Sequence, residues 1–488
     1  MGGDRAGEVA GSFAVADSAV GMARIGRPSA FYTACTIFAA CYFLWIVWSG
    51  FAAGFASDDP MNLFDSWKTG AAGTIRDNLL FFATANRPMG GLFYLPIYRF
   101  FHLNPLPYHI AISMVLAANT FLLYRFACLL GVARAAAGFA AVLICSHTAL
   151  TALYLSPSTV YDALCFLFYF GGLVYYVRIR SAGEKLNWRQ TLMCLVLYVG
   201  ALNSKEIGVT LPLLLLGYEA LYHQRTARQV RTPLIACGMA MAYTIGKLAV
   251  SDSRAGLSVY RPLLTYVQYI TNSDHFLDEI FYLADTWFTP ARAALLIPLL
   301  GIWAGMRRSK AVWFCLLFVL VSPLPIVFIP RRGQYNLYLP LAGWTMLAGI
   351  ALWDIIHALS PERAMPRWVV VAIRLGLASL LLLTWSWNRA WREAFAVEAA
   401  GNQQRPTRDA ISDLRTFHVA IRPNSAVLFL NGPFVDWQLY FLASLWYNDH
   451  SLQIFIQPIH HLTPAGMGYM DYVFDWKNDH FVVIRSPT

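Results

Sequence analysis

Residues 31–62 read FYTACTIFAACYFLWIVWSGFAAGFASDDPMN, and this stretch decides the fold. From Phe31 to Phe55 the chain is apolar and nearly free of charge, long enough to cross a bilayer as a helix. Ser57-Asp58-Asp59-Pro60-Met61-Asn62 follow directly. Two adjacent carboxylates are costly in hydrocarbon and cheap in water, so they mark a wet loop or a polar cavity at the membrane edge. A base placed there suits a substrate that is itself carried by a lipid.

The composition agrees. Hydrophobic residues make up 58% of the 488 and charged residues 13%, with a mean hydropathy of +0.49. A soluble domain carries roughly 25% charged residues. Further apolar runs lie near 108–128, 135–155, 159–177, 191–203, 206–222, 232–250, 291–306, 311–329, 336–358 and 367–387. With 31–55 they predict about eleven spans of near-bilayer length. The runs 191–203 and 206–222 are short and read as a broken or re-entrant pair. The segment 88–101 is apolar but short and contains Arg99, and it reads as an interfacial or tilted helix. If it crosses, a compensating crossing within 262–288 brings the count to about thirteen.

The net charge of +10 raises nucleic acid as a partner, but its distribution excludes that class. The basic residues fall in alternate short loops: Arg125 and Arg134; Arg178, Arg180, Lys185 and Arg189; Arg225, Arg228 and Arg231; Arg307, Arg308 and Lys310; Arg363 and Arg367. The positive-inside rule puts these loops in the cytoplasm. The loops 56–107, 156–158, 203–206, 251–290 and 330–335 then face outward, as does the tail after Trp387. Residues 1–28 read as a flexible cytoplasmic tail. The eight cysteines lie in apolar runs and read as small packing residues.

Beyond Asn388 the chain becomes mixed and polar. Ala426–Leu430 and Leu452–Ile456 read as buried strands, with a turn at Asn431-Gly432-Pro433 and a helix over 436–446 between them. The expected architecture is an all-α polytopic membrane domain over 29–387, followed by a small extracytoplasmic α/β domain over 388–488.

The candidate chemistry sits in the outward loops. Asp59-Pro60 also reads as a helix start, with Asp as cap and Pro in the first turn. Asp58 has no such task, and a neighbouring carboxylate raises one pKa of the pair, which suits a general base. In Asn86-Arg87-Pro88-Met89-Gly90-Gly91, the residue before proline is held out of the following helix, which places Arg87 at the interface with lipid phosphates. Lys205 and Glu206 form a charged pair at membrane depth. Arg331 and Arg332 stand on the outer face against the positive-inside rule, and phosphate binding is the simplest reason. Arg254, Tyr260, Arg261, Tyr266, Gln268, Tyr269, Asn272, Asp274 and His275 could hydrogen-bond a sugar or an acceptor, or form an amphipathic interfacial helix. Two carboxylates with no nearby histidine are too few to claim a divalent cation site.

The order of these motifs resembles the GT-C superfamily of membrane glycosyltransferases. The string runs from Asp58-Asp59 through Asn86-Arg87-Pro88 and Pro107-Tyr108-His109. It continues with Ser204-Lys205-Glu206, Thr210-Leu211-Pro212 and Tyr335-Asn336-Leu337-Tyr338-Leu339-Pro340. It is most similar to the branch of the protein O-mannosyltransferases and the eukaryotic transmembrane O-mannosyltransferases. The lipid A aminoarabinose transferases are more distant. The resemblance covers roughly residues 31–350 and implies inverting transfer from a polyprenyl-phosphate sugar to a glycan, lipid or protein hydroxyl. It implies Asp58 as the base with Asp59 beside it, and Arg87, Lys205, Arg331 and Arg332 around the donor phosphate. Glu206, Tyr335, Tyr338 and His109 are then expected against substrate. No tetratricopeptide repeats follow the membrane part, and the tail is not a β-trefoil, so the acceptor does not carry over. The alternative is a transporter or flippase of a lipid-linked sugar, which needs the same cations but no base.

Overall fold

The computed structural model describes residues 30–83, 87–223, 230–251, 262–282, 287–331, 333–358, 367–416, 419–432, 438–457, 460, 464–478 and 480–487. The expected tail over 1–28 lies outside them. The chain divides into two units between Tyr42 and Phe43. In the first, Ala30–Tyr42 is helical, and the rings of Phe38 and Tyr42 stack one turn apart, 6.2 Å between centroids. The second unit holds the remaining helices and a sheet.

Each apolar run of the sequence is helical, and several helices begin or end on a residue that explains the boundary. Asn104 caps Pro105–Leu129 by accepting from the Leu106 amide. Asn187 and Gln190 form a reciprocal capping box at the start of Trp188–Ser204. Lys205 is extended and ends that helix. The turn Glu206–Thr210 leads into Leu211–Tyr222, with Pro212 in its first turn. The short apolar pair is therefore one path broken at Lys205-Glu206. The helix Met89–Phe101 spans 13 residues.

Among the described residues, six helices are individually long and apolar enough to cross a membrane: Thr33–Phe51, Pro105–Leu129, Pro157–Ser181, Lys310–Val327, Gln334–Ala358 and Trp368–Thr416. Arg134–Ser146 and Ala149–Leu155, bent by 61°, make a seventh if they form one span. The count falls below eleven because other helices are short or broken, as at Lys205-Glu206, or carry charge within them, as Lys247 in Arg231–Ser251 and Arg292 in Pro290–Arg307 do. The helix Arg367–Glu398 turns apolar residues such as Leu382 and Leu383 to the surface, as a helix in contact with lipid must. It runs past the domain boundary placed at 387 before the chain turns toward the sheet.

Side-chain hydrogen bonds gather the helix ends into two sets. At one end, His109 bridges the Gly54 and Tyr154 carbonyls, Gln404 reaches Gly54 and Leu155, and Asn272 donates to Val327 and Ile329. At the other, Arg180 binds Glu219, Arg307 binds Asp354, and Tyr222 donates to the Leu130 carbonyl. The basic loops flank the second end.

The sheet has the order β2-β1-β3-β4, with β1 Ala426–Leu430, β2 Gln453–Ile456, β3 Tyr472–Lys477 and β4 His480–Arg485. β1 is parallel to β2 and β3, and β3 is antiparallel to β4. Val427, Phe429, Ile454 and Phe474 cover one face with Leu439 and Ala443 of the helix Gln438–Tyr447. Leu428 and Val473 turn to the other face with Met470. The alternation follows from the two-residue repeat of a strand.

Candidate active site

The helix Asp58–Leu79 builds one wall of the site. Asp58, Asn62, Asp65 and Thr69 recur at helical spacing along one stripe. Asn62, Asp65, Ser66 and Thr69 line a cavity of about 790 Å³, and Asp58 is exposed one turn beyond them on the same stripe. Gly70 takes a φ of 70° and breaks the helix there, so Thr74 and Asp77 also reach the cavity. The opposite face is apolar. Phe64 packs on Phe441 at 5.1 Å, and Trp67 stacks on His450 at 3.7 Å. The same helix thus faces the cavity on one side and the C-terminal domain on the other.

Cations from separate elements meet in this cavity. Arg87 arrives just before the helix Met89–Phe101. Gly90 and Gly91 let that helix start close in: a Cβ on Gly90 would lie 2.3 Å from the Tyr161 ring, and one on Gly91 would lie 2.7 Å from Thr74. The Arg87 guanidinium makes a two-pronged contact with Glu206, Nε to Oε1 at 3.2 Å and Nη2 to Oε2 at 2.9 Å. It also lies 5.7 Å from the Tyr161 ring centre. Lys205 is buried at the chain break. Its Nζ donates to Asp162 Oδ1 and Asn336 Oδ1 and stands 5.2 Å from the Tyr335 ring. Lys247 joins from the helix Arg231–Ser251. Leu213, Leu248, Leu264, Pro325 and Phe328 supply an apolar wall. The cavity therefore offers cations, hydroxyls and carboxylates beside hydrocarbon.

Asp59 points away from this space and is 1% exposed. Its carboxylate accepts from the Ala56 amide at 2.5 Å, from Ser156 Oγ at 3.0 Å and from the Ser158 amide. Burial pushes its pKa up to about 7, against the downward pull of those three donors, with Asp58 adding repulsion. It ties the first loop helix to the loop before the helix Val160–Ser181.

Of the residues singled out in the sequence, Arg87, Lys205, Glu206 and Tyr335 line the cavity together. Tyr338 lies in packing, its ring 4.6 Å from Phe166, and His109 is held by two backbone carbonyls. Neither is among the lining residues. Arg331 is exposed near the break before Gln334–Leu337 and is not among them either. Arg332, Asn86, Arg254, Tyr260 and Arg261 fall outside the described residues. The residues from Tyr266 to His275 form the first part of the helix Tyr266–Ile280. Asp162, Asn336, Asp65 and Lys247 complete the constellation and were not read from the sequence as site residues. Asp162 carried a signal: an acid inside the apolar segment Val160–Ser181 needs a partner, and Lys205 is that partner.

No protein-family model and no curated protein matches this sequence. Solved structures do. The oligosaccharyltransferase of Archaeoglobus fulgidus, tethered to an acceptor peptide, superposes with a TM-score of 0.52 at 11% identity over 88% of this chain. This chain spans 64% of that protein's length. The oligosaccharyltransferase AglB from Archaeoglobus fulgidus, in complex with an inhibitory peptide and a dolichol-phosphate, gives 0.53 at 11% identity, covering 91% of this chain and 69% of that one. ArnT from Cupriavidus metallidurans, bound to undecaprenyl phosphate, gives 0.50 at 13% identity, covering 94% of this chain and 99% of that one. At such identities the likeness speaks for the fold, and this chain has the fold of the GT-C membrane glycosyltransferases.

Proposed function

We propose that the protein is a membrane glycosyltransferase that moves a sugar from a polyprenyl-phosphate carrier to an acceptor hydroxyl. The observation that carries this reading is the cavity itself, where Arg87, Lys205 and Lys247 meet beside an apolar wall. A lipid-linked phosphate needs both. Dolichol-phosphate and undecaprenyl phosphate, bound by proteins of the same fold, are ligands of that kind.

In this reading Arg87 and Lys205 hold the phosphate, and the polyprenyl chain lies against Leu213, Leu248 and Leu264. The acceptor oxygen attacks the anomeric carbon. The carbon–oxygen bond to phosphate breaks, and its electron pair leaves on the phosphate. A carboxylate of the first loop helix takes the hydroxyl proton. The cations stabilise the charge that develops on the leaving group. Asp58 is the proposed base, at the rim of the lining stripe, and the sugar is inverted. Asp65 is the second candidate because it lines the cavity directly. In this reading the protein lies in the plasma or inner membrane, and the positive-inside rule puts this end of the bundle outside the cytoplasm.

The test is transfer by the purified protein reconstituted with polyprenyl-phosphate sugars. Asp58→Asn is expected to retain polyprenyl-phosphate binding while losing ~10²–10⁴-fold in rate, as loss of a general base does. If Asp65→Asn shows that loss and Asp58→Asn does not, the base is Asp65. If both variants move the lipid-linked sugar across the membrane at the wild-type rate without transfer, the protein is a transporter. Arg87→Ala should weaken binding of the carrier by about tenfold or more, the loss of a charge-assisted contact.

A further inference from the structure

Arg87 already holds an anionic partner. A carboxylate and a phosphate offer the same pair of oxygens to a guanidinium, and both bind it in two-pronged fashion. Glu206 occupies the two donors, Nε and Nη2, that a phosphate would use. Both side chains are partly exposed, at 34% and 42%, so the pair stands at an accessible edge of the cavity and is not sealed in the core. Lys205 is different: it is buried between Asp162 and Asn336. Glu206 also has a second cation to turn to, because Lys247 lines the same cavity and its charge acts on Glu206.

We propose that Glu206 is a phosphate mimic: it competes with the lipid phosphate for Arg87 and so sets how tightly the carrier is held and how fast it leaves. This rests on the reading of the cavity as a lipid-phosphate site. When the carrier enters, its phosphate displaces the Glu206 carboxylate from Nε and Nη2, and Glu206 moves toward Lys247. When transfer has left the carrier as a phosphate monoester, Glu206 competes with it for Arg87 and so speeds its release. Glu206 acts here through charge alone. It needs no proton or covalent step.

The affinity of a site whose binding-competent state is only partly populated falls by that population. Removing the competitor restores it. Glu206→Gln keeps the shape and a hydrogen-bond acceptor but loses the charge. Binding of undecaprenyl phosphate to the purified full-length protein in nanodiscs should therefore tighten by roughly three- to ten-fold in Glu206→Gln. In the transfer assay KM for the donor should fall and kcat should fall with it, because the product leaves more slowly. A merely structural Glu206, holding Arg87 in place, gives the opposite: weaker binding in Glu206→Gln and a raised KM, and that result overturns the proposal. Unchanged binding also overturns it. If the wild-type protein does not bind undecaprenyl phosphate, or binds it equally well as Arg87→Ala, the failure lies in the reading of the cavity. Failure of Glu206→Gln alone leaves that reading standing.

Discussion

At the scale of single residues, the two adjacent aspartates have separate fates, and the difference is testable by pH. Asp59 is buried and its pKa is raised from the ordinary 3.8 to about 7. The folded protein therefore keeps the proton over a range where the unfolded chain releases it. The stability that Asp59 contributes is fully present below 3.8 and is lost as pH rises through about 7. Thermal midpoints of the detergent-solubilised protein should fall with rising pH across that window. Asp59→Asn, which has no charge to release, should show a flatter slope. Equal slopes for the two proteins would show that Asp59 does not titrate there. The adjacency of Asp58 and Asp59 in the sequence pointed to shared chemistry. The structure turns one outward along the cavity stripe and the other into the fold, a distinction set by the helix repeat.

At the scale of elements, the first loop helix is clamped from behind by the C-terminal domain. Trp67 Nε1 donates to Asn448 Oδ1 at 2.7 Å, and Tyr98 donates to the Leu445 carbonyl at 2.5 Å and to Asn448 at 3.3 Å. Asn448 thereby joins three elements: the loop helix, the helix Met89–Phe101 and the end of Gln438–Tyr447. Asn448→Ala should leave the Trp67 donor without its partner, at about 1–3 kcal/mol. The measurement is thermal unfolding, read alongside the emission of the protein's tryptophans, which should change as Trp67 loses its cover. A stability within about 0.5 kcal/mol of wild type, the range of neutral surface changes, would show that the clamp is not engaged.

Helices were the most legible elements, because a long apolar run dictates a helix wherever lipid offers the backbone no partner. The break at Lys205-Glu206 was legible too, since two charges interrupt an apolar path. The strands β1 and β2 and the helix between them stand close to where the sequence placed them. The hairpin β3–β4 was not read, although Tyr472-Val473-Phe474 carries strand residues and Asn478, with a φ of 52°, makes the turn. The site was legible in part. Arg87, Lys205, Glu206 and Tyr335 were marked by charge or polarity at span ends. Asn336 and Lys247 depend on which helices meet, and a sequence read along its own length does not show that.

At the scale of the whole molecule, topology follows from the sorting of helix ends. The contacts of Asp59 with Ser156 and Ser158, of Arg87 with Glu206, and of Lys205 with Asn336 all lie at the cavity end. Arg180 with Glu219 and Arg307 with Asp354 lie at the other, beside the basic loops. The C-terminal domain, fixed to Trp67, belongs to the cavity end. The helices Met89–Phe101 and Tyr266–Ile280 must then return without crossing, or the ends would not pair in this way. Ser181 closes the helix Val160–Ser181 at the basic end, and Ser425 precedes β1. Cysteine introduced at Ser181 should react with a membrane-impermeant maleimide only after the cells are opened. Cysteine at Ser425, which is buried, needs brief mild denaturation before the same reagent is applied from outside. A safer partner is the exposed residue Asn424, whose cysteine variant should label on intact cells. The native cysteines Cys35 and Cys41 are exposed, so both variants are made in a background with these changed to serine. Labelling of positions 181 and 424 from the same side would place the cavity and the basic loops on one face. The assignment of the cavity end to the extracytoplasmic side, and with it the proposed donor site there, would then be wrong.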